Sequence, residues 1–501
     1  MSRLAALALI SSFACAGETH VAAHALRWRF GGEVVRLHDG EDMGLAHALV
    51  DVLEPVAALP GLYVGLGGFG AVTGERGGFF TLGGALGWRA AWRRFELDVG
   101  GFAGGGGGGD AEQGGGLMLR PHAGIGFNAW RDWWLRGEVA HVAFPNGDIE
   151  STGVAIGIAV QDGIVGLARA GAVADLVAAA TRRTRLAVTA SWWRPCGCDG
   201  PGLRSGEELE DDLALVGVRL ERFVTERVFL ALVADGALGG GIAGYMDVFG
   251  GVGYEQPLIG PLSLQLVALG GAGGGGDVDT GGGLLLQPRA ALVARHRGVV
   301  ADVGVGRVVA PDGELSADAF ALGVAWESDA VVLPRGVARA RVAGADGETW
   351  HLSVINKTYL PRSSAHRANG DAYADDIELV GVGLEKPLTS WLSATGRGFA
   401  AWRGGAGGYA EGLVGLTAHA DAWPRVALIA ALEGGAAGGG GIEVDSGVIG
   451  QATVGARVAA TDRLAIGLEL GAMDALRGSF AAAVLALSLT WTFDRAVSAG
   501  D

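Results

Sequence analysis

Three pairs of acidic residues each follow a run of glycines, a placement in which carboxylates could bind a metal ion. The pairs are Asp110 with Glu112, Asp277 with Asp279, and Glu443 with Asp445. Calcium is the ion that such groups would take, because it prefers several carboxylate and carbonyl oxygens. The alternative is an exposed hairpin tip, where glycine is favoured because it permits positive φ. We favour the hairpin tip and expect no cofactor beyond such a calcium ion.

A second group of polar residues falls on the small-residue side of predicted strands. These residues are Thr81, Asp247 and Glu411 at one equivalent position, and Arg136, Glu138, Arg457 and Glu469 elsewhere on the same side. Opposite charges on the inward face of a narrow barrel could pair and fill it. We therefore predict that these seven side chains line an interior.

Two segments contain a histidine near a polar residue, as a hydrolytic site would require. The segment from His141 to Asn146 loosely resembles the His-x-Ser-Asn segment of lipid A deacylases, which are eight-stranded outer-membrane enzymes, but Ala143 stands where the serine would be. Ser363 and His366 lie on a long loop, where such residues are commonly solvated. A nucleophile needs a base within hydrogen-bond reach. We predict that the chain is not an enzyme and keep a lipid A-modifying enzyme as an alternative.

The glycine runs recur at a fixed long period. Asp277 follows Asp110 by 167 residues, and Asp445 follows Asp279 by 166 residues. Such a period is typical of repeat architecture. The sequence therefore predicts three similar units.

The elements that position these residues are alternating strands. Near the C-terminus, Leu485, Leu487 and Leu489 share one face with Trp491 and Phe493, while small and polar residues occupy the other. Such alternation is typical of a strand with one apolar face. We predict eight such strands in each unit, joined by tight turns at one end and by longer, glycine-rich loops at the other, as in outer-membrane barrels.

These patterns divide the chain into six segments. They are a signal peptide (1–16), an eight-stranded unit (24–162), a linker (163–183), a second unit (184–328), a linker (329–348) and a third unit (349–495). The prediction of a signal peptide rests on a short apolar run that ends in Ala-x-Ala. A lipoprotein anchor at Cys15 is an alternative, but Ser12 stands where such signals usually have leucine.

The contrast between the two strand faces indicates which solvent surrounds the sheet. The bulky face is rich in leucine, and the opposite face is too small and too weakly charged for an ordinary exposed surface. We predict that the leucines face lipid, in which strands must close into a barrel because an open edge would leave backbone groups unpaired. Tryptophans near strand ends would form aromatic girdles. They are Trp28, Trp88, Trp133, Trp192, Trp350 and Trp391.

Composition excludes one class of partner. The 501 residues carry a net charge of −16, and nucleic-acid binding needs a basic surface. An acidic surface is compatible with lipopolysaccharide, which it would meet through divalent cations.

With these features the sequence resembles the outer-membrane β-barrel proteins of Gram-negative bacteria, over nearly its whole length. The closing Trp491-Thr-Phe493 looks like the terminal aromatic insertion signal of that class. The resemblance implies a bacterial outer-membrane location, with outer-membrane lipid, lipopolysaccharide and the barrel assembly machinery as partners. It does not imply a function, since members act as pores, adhesins, anchors and enzymes.

Two barrel arrangements fit the strand count. Eight strands enclose an interior just wide enough for side chains, whereas many more leave an aqueous channel. We favour three small barrels over one transmembrane antiparallel barrel of about 24 strands, which is within the known size range. The predicted function is a non-enzymatic scaffold or restricted pore with surface-loop binding. The alternatives are a single large porin or transport channel and a soluble secreted barrel protein.

Overall fold

The computed structural model describes residues 18–53, 59–167, 176–177, 180–196, 202–209, 211–333, 337, 339–373 and 375–498. The predicted signal peptide lies outside these residues. The described part of the chain forms 26 strands. It contains no helix that is long and apolar enough to cross a bilayer. The all-β prediction is confirmed.

The first eight strands close on themselves and are called ring 1. Each strand pairs antiparallel with the next, and β1 also pairs with β8, with Trp28 opposite Val160. The strands are β1 Glu18–Arg36, β2 Asp42–Leu53, β3 Leu62–Thr73, β4 Phe80–Trp92, β5 Phe95–Gly107, β6 Met118–Trp130, β7 Trp133–Ala143 and β8 Glu150–Leu167.

A second closed set, ring 2, follows a two-residue strand, β9 Leu176–Val177. Its first strand pairs with its last, with Val188 opposite Val324. The strands are β10 Ala180–Pro195, β11 Leu213–Phe223, β12 Val228–Gly239, β13 Met246–Pro257, β14 Leu262–Gly274, β15 Leu284–His296, β16 Val299–Val309 and β17 Ser316–Val332.

The last eight strands form ring 3, after a short strand, β18 Arg339–Ala343. Its first strand pairs with its last, with Val354 opposite Leu489. The strands are β19 Ala345–Pro361, β20 Ile377–Pro387, β21 Leu392–Arg403, β22 Ala410–Trp423, β23 Val426–Gly438, β24 Val448–Ala459, β25 Leu464–Ala475 and β26 Ala481–Ser498.

The two faces of the strands point as the alternation predicts. In β26, Leu487 and Leu489 are 55% and 52% exposed on the outside of ring 3, whereas Ala486 and Ser488 are buried inside it. An outer face this apolar fits a hydrocarbon solvent, in which a closed ring leaves no strand edge unpaired. The prediction of outward leucines is confirmed.

Four of the six predicted girdle tryptophans are exposed near strand ends. They are Trp88, Trp133, Trp192 and Trp391. Trp28 is half-buried. The prediction is wrong for Trp350, which is only 7% exposed. Its ring lies 5.1 Å from Nζ of Lys386 and 5.9 Å from the Arg495 guanidinium, which cover it on the outside of ring 3.

Within the stretches 163–183 and 329–348, predicted as linkers, most of the residues that the structure describes lie in strands. Both β8 and β17 run into them, β10 and β19 begin within them, and β18 lies inside the second. The start of β1 pairs with β18, with Val21 opposite Ala340. These segments bury an apolar cluster where the three rings meet. Its members include Val21, Val165, Val331, Val342 and Ala496. Local sequence did not reveal this contact because it joins segments more than 300 residues apart.

At the opposite end of the rings, the glycine run of each ring contacts one neighbouring ring, so that the three contacts form a cycle. The run of ring 2 lies on Gly78 of ring 1, the run of ring 3 lies on Gly244 of ring 2, and the run of ring 1 lies on Gly408 of ring 3. These three glycines have φ of +89°, +87° and +89°. A side chain there would be strained and would also meet the neighbouring backbone. The repeated glycines are therefore explained by close approach between rings.

Gly244 offers a test of this close approach. A methyl group on Gly244 would lie 2.8 Å from the amide nitrogen of Gly439. We expect Gly244→Ala to destabilise the protein by about 1–3 kcal/mol beyond the strain of positive φ, because overpacking costs that much. The matched control is Gly241→Ala, since Gly241 has φ of +72° but nothing within 4 Å of an added methyl. Urea unfolding followed by tryptophan fluorescence measures both, and equal losses would contradict the inter-ring contact.

Candidate functional site

The recurring aspartates of the glycine runs occupy one unusual backbone conformation. Asp110, Asp277 and Asp445 have φ of 56°, 64° and 47°. Aspartate is among the few residues that adopt this left-handed region readily. The turn conformation therefore accounts for an acidic residue at this place in all three rings.

The companion acids have different surroundings. Glu112 is exposed, and Oδ1 of Asp279 accepts a hydrogen bond of 2.9 Å from the Gly281 amide. Although burial opposes it, hydrogen bonds from the Ser479 and Asp445 amides lower the pKa of Glu443. In the part of the chain that the structure describes, no three Asp, Glu, His or Cys side chains converge as a metal site. The six acids are therefore not brought together around one ion.

The two histidine segments differ in what contacts the histidine. Nδ1 of His141 lies 2.8 Å from Oγ1 of Thr152, on the outer part of ring 1. The backbone of His366 pairs with Ala372 and accepts a hydrogen bond from the Glu443 amide. Of these contacts, the one at His141 joins a hydroxyl to an imidazole, and those at His366 are made by the backbone.

The seven polar residues predicted to line an interior all have buried side chains. Arg136 and Glu138 form an ion pair of 3.2 Å within ring 1. Arg457 and Glu469 lie in ring 3 but pair with other residues, at 2.9 Å from Glu385 and 3.0 Å from Arg397 respectively. Thr81, Asp247 and Glu411 take the same inward position in β4, β13 and β22.

Ring 1 is filled by linked ion pairs. Arg120 binds Glu33 at 2.7 Å and Glu138 at 2.9 Å. Arg136 binds Asp98 at 2.7 Å as well as Glu138. Because each carboxylate accepts from more than one donor, the network is charge-assisted and geometrically fixed. Further buried pairs of this ring are Arg27 with Glu96 and Arg29 with Asp51.

Ring 2 contains a comparable network toward its tight-turn end. Arg185 binds Glu221 at 3.1 Å and Glu255 at 2.6 Å. Arg219 binds Glu221 at 2.9 Å and also pairs with Asp302. Further pairs are Arg289 with Asp302 and Arg295 with Glu255.

Ring 3 combines arginine pairs with one lysine. Arg397 lies 3.0 Å from Glu469 and 3.2 Å from Glu433. Lys357 pairs with Glu411, whose other oxygen accepts hydrogen bonds of 2.7 Å from Tyr359 and 2.9 Å from Tyr409. The side chains of all three rings thus occupy the space that the strands enclose.

Most of these interior charges were not singled out from the sequence. The alternation of inward and outward residues along each strand could have identified them, because they alternate with outward apolar residues. They include Arg27, Arg29, Glu33, Arg120, Arg185, Arg219, Arg289, Lys357, Glu385 and Arg397.

Closed antiparallel rings, apolar outer faces, polar interiors and exposed tryptophans near the strand ends define a class of protein. The chain is a Gram-negative outer-membrane β-barrel protein, and its location is the bacterial outer membrane, because strands with lipid-facing leucines can span a bilayer only in closed barrels.

No protein-family model and no curated protein matches the chain. Among solved structures, the ferric enterobactin receptor of Pseudomonas aeruginosa is 10% identical with a TM-score of 0.27, covering 95% of this chain and 82% of that chain. The siderophore receptor PirA of Acinetobacter baumannii is 9% identical, with a TM-score of 0.27 and coverage of 94% and 80%. OccK9 of Pseudomonas aeruginosa is 12% identical, with a TM-score of 0.23 and coverage of 95% and 98%. Likenesses this low carry no argument about this chain.

Proposed function

We propose that the chain is a non-enzymatic outer-membrane scaffold made of three filled eight-stranded barrels that display loops at the cell surface. The observation that carries this proposal is the buried ion-pair network in each ring. An eight-stranded barrel encloses an interior just wide enough for side chains to fill, or for one small ligand. Here that interior is occupied by charges that hold one another, such as Arg120 with Glu33 and Glu138.

The loops supply the displayed surface. Residues 202–209 of ring 2 pack over its glycine run, where Leu203 pairs with Val278. In ring 3, Arg367 pairs in the same way with Ile442. Both loops keep an exposed outer edge, at 205–208 and 368–372. Binding at the cell surface would use these edges, and the acidic loops would meet lipopolysaccharide through divalent cations.

Conductance measurements test the scaffold proposal. We expect the full chain, inserted in a planar bilayer, to give no stepwise ion current, because the interior charges are paired and leave no aqueous path. A general porin inserted in the same bilayer is the positive control, and heat-modifiable migration on a gel shows that the chain is folded. Reproducible current steps from folded protein would overturn the filled-barrel proposal.

Disulfide trapping tests whether the three rings are separate barrels. Phe30 and Ile158 lie opposite each other on β1 and β8. We expect Phe30→Cys with Ile158→Cys to form a disulfide in the folded protein, detected by mass spectrometry of the linked peptides. Phe30→Cys with Leu487→Cys is the control, because a single barrel of 24 strands would place β1 beside β26. Crosslinking of the control pair alone would favour the large porin.

A restricted pore is the second candidate function. The observation that favours it is the charged character of the interior, since porin interiors are polar whereas a purely structural core can be apolar. In this case the bilayer experiment gives small, salt-dependent steps. Insertion through the barrel assembly machinery is common to both proposals, with Trp491 and Phe493, in the C-terminal half of β26, as the proposed signal.

A further inference from the structure

The same inward position has different charges in the three rings. Lys357 of β19, Ser191 of β10 and Glu33 of β1 each lie opposite the leucine that follows a bulge in the next strand, Leu379, Leu215 and Leu45 respectively. They are therefore equivalent positions.

In ring 3, this position supplies a cation to the interior. Nζ of Lys357 pairs with Glu411, lies 3.0 Å from the Tyr359 hydroxyl and 3.2 Å from Oε1 of Gln451. It also lies 3.7 Å from the centroid of the Phe399 ring. Carboxylate, oxygens and aromatic ring together surround the ammonium group.

In ring 1, a residue at a different position supplies the cation that lies over the equivalent phenylalanine. Phe69 lies opposite Thr81, as Phe399 lies opposite Glu411. The Arg120 guanidinium lies 5.3 Å from the Phe69 centroid. Its charge is balanced by Glu33.

Ring 2 has two acids at this level, and neither forms an ion pair within 4 Å among the described residues. Asp235 takes the place of the phenylalanine and lies directly opposite Asp247. Asp247 is fully buried, and neither of its carboxylate oxygens has a hydrogen-bond partner among the described residues. Arg219 and Arg289 attract Asp235 electrostatically, but they form their ion pairs with other carboxylates. Asp235 accepts a hydrogen bond of 3.0 Å from Oγ1 of Thr189. Burying a carboxylate that has no such partner, as at Asp247, is strongly unfavourable.

Two further side chains near this pair have unused oxygen atoms. Oγ of Ser191 stands at the position of Lys357 and is unpartnered, and Ser191 is only 6% exposed. The hydroxyl of Tyr245, two residues before Asp247 on the same face of β13, is also buried and unpartnered. Hydroxyl and carboxylate oxygens are the ligands that hard cations prefer.

We propose that ring 2 binds a divalent cation, Mg²⁺ or Ca²⁺, between Asp235 and Asp247, in the place that the Lys357 ammonium occupies in ring 3. The two carboxylates match a charge of two, and Ser191 and Tyr245 supply further oxygens. This site is separate from the acidic loop tips. The proposal that it binds a cation does not depend on the scaffold function.

Terbium luminescence tests this site in the full chain folded in detergent after removal of metal with a chelator. Trp193 lies 5.7 Å from Tyr245, centroid to centroid, so excitation of these rings should sensitise Tb³⁺ bound beside them. We expect saturable emission that Ca²⁺ or Mg²⁺ competes away. Asp247→Asn should weaken Tb³⁺ binding by more than about tenfold, the loss already typical when a supporting residue of a metal site is removed.

Ser191→Lys is the second variant, since it supplies the internal ammonium of ring 3. We expect it to abolish sensitised emission, and to make the thermal unfolding midpoint independent of added Ca²⁺, whereas the unmodified chain should be stabilised by Ca²⁺. Asp277→Asn at a loop tip is the control and should leave emission unchanged. Emission that survives both interior substitutions, or unfolding of the unmodified chain that is the same with chelator and with Ca²⁺, would overturn the site and indicate protonated carboxylates.

Discussion

Replacement of Arg397 by leucine is expected to destabilise ring 3 by about 3–5 kcal/mol, the cost of leaving a buried charge without its partner. Arg397 is 5% exposed and binds both Glu433 and Glu469. Leucine cannot satisfy either carboxylate, and neither can reach water. Guanidinium unfolding in detergent, followed by tryptophan fluorescence, measures the loss.

The matched control for this prediction is Arg403→Leu. Arg403 also pairs with a glutamate, Glu378, but its side chain is 66% exposed. Exposed pairs contribute only about 0–1 kcal/mol. A loss at Arg397 no larger than the loss at Arg403 would show that the interior is wet and the charges are not packed against one another.

Replacement of Leu432 by arginine is expected to cost about 2–4 kcal/mol, as a cation does at the midplane of a bilayer on the lipid face of a barrel. Leu432 lies at the middle of β23 and is 71% exposed. The measurement is reversible unfolding of the protein in lipid vesicles.

Leu476→Arg is the control for the lipid-facing prediction. Leu476 is similarly exposed, at 66%, but lies in the loop between β25 and β26. We expect its replacement to change the free energy of unfolding by less than about 0.5 kcal/mol, as most surface substitutions do. A soluble barrel would tolerate arginine at both positions, so equal and small effects would contradict the membrane assignment.

Strand positions and strand faces could be predicted from sequence because they follow from local alternation. The leucines of β26 face outward as their spacing requires. The partner of each interior charge could not be predicted in this way. Arg457 and Glu469 share a face, yet Arg457 pairs with Glu385, which is 72 residues away in the sequence. Curvature of the ring decides which charges meet, and curvature is not visible in a single strand.

The contacts between rings were the least predictable feature. The sequence favours hairpin tips for the glycine runs, and the structure shows that they are also the surfaces on which a neighbouring ring lies. A run of glycines is compatible with both roles, because the residue permits positive φ and also permits close approach. Only the position of the partner, Gly78, Gly244 or Gly408, distinguishes them.

The head-to-tail order in which the rings meet has a consequence for their evolution. In an assembly of three identical subunits, any substitution in the interior would appear three times at once. Here one polypeptide fixes the stoichiometry while leaving each interior free to change alone. Glu33, Ser191 and Lys357, three different residue types at equivalent positions, are compatible with that freedom.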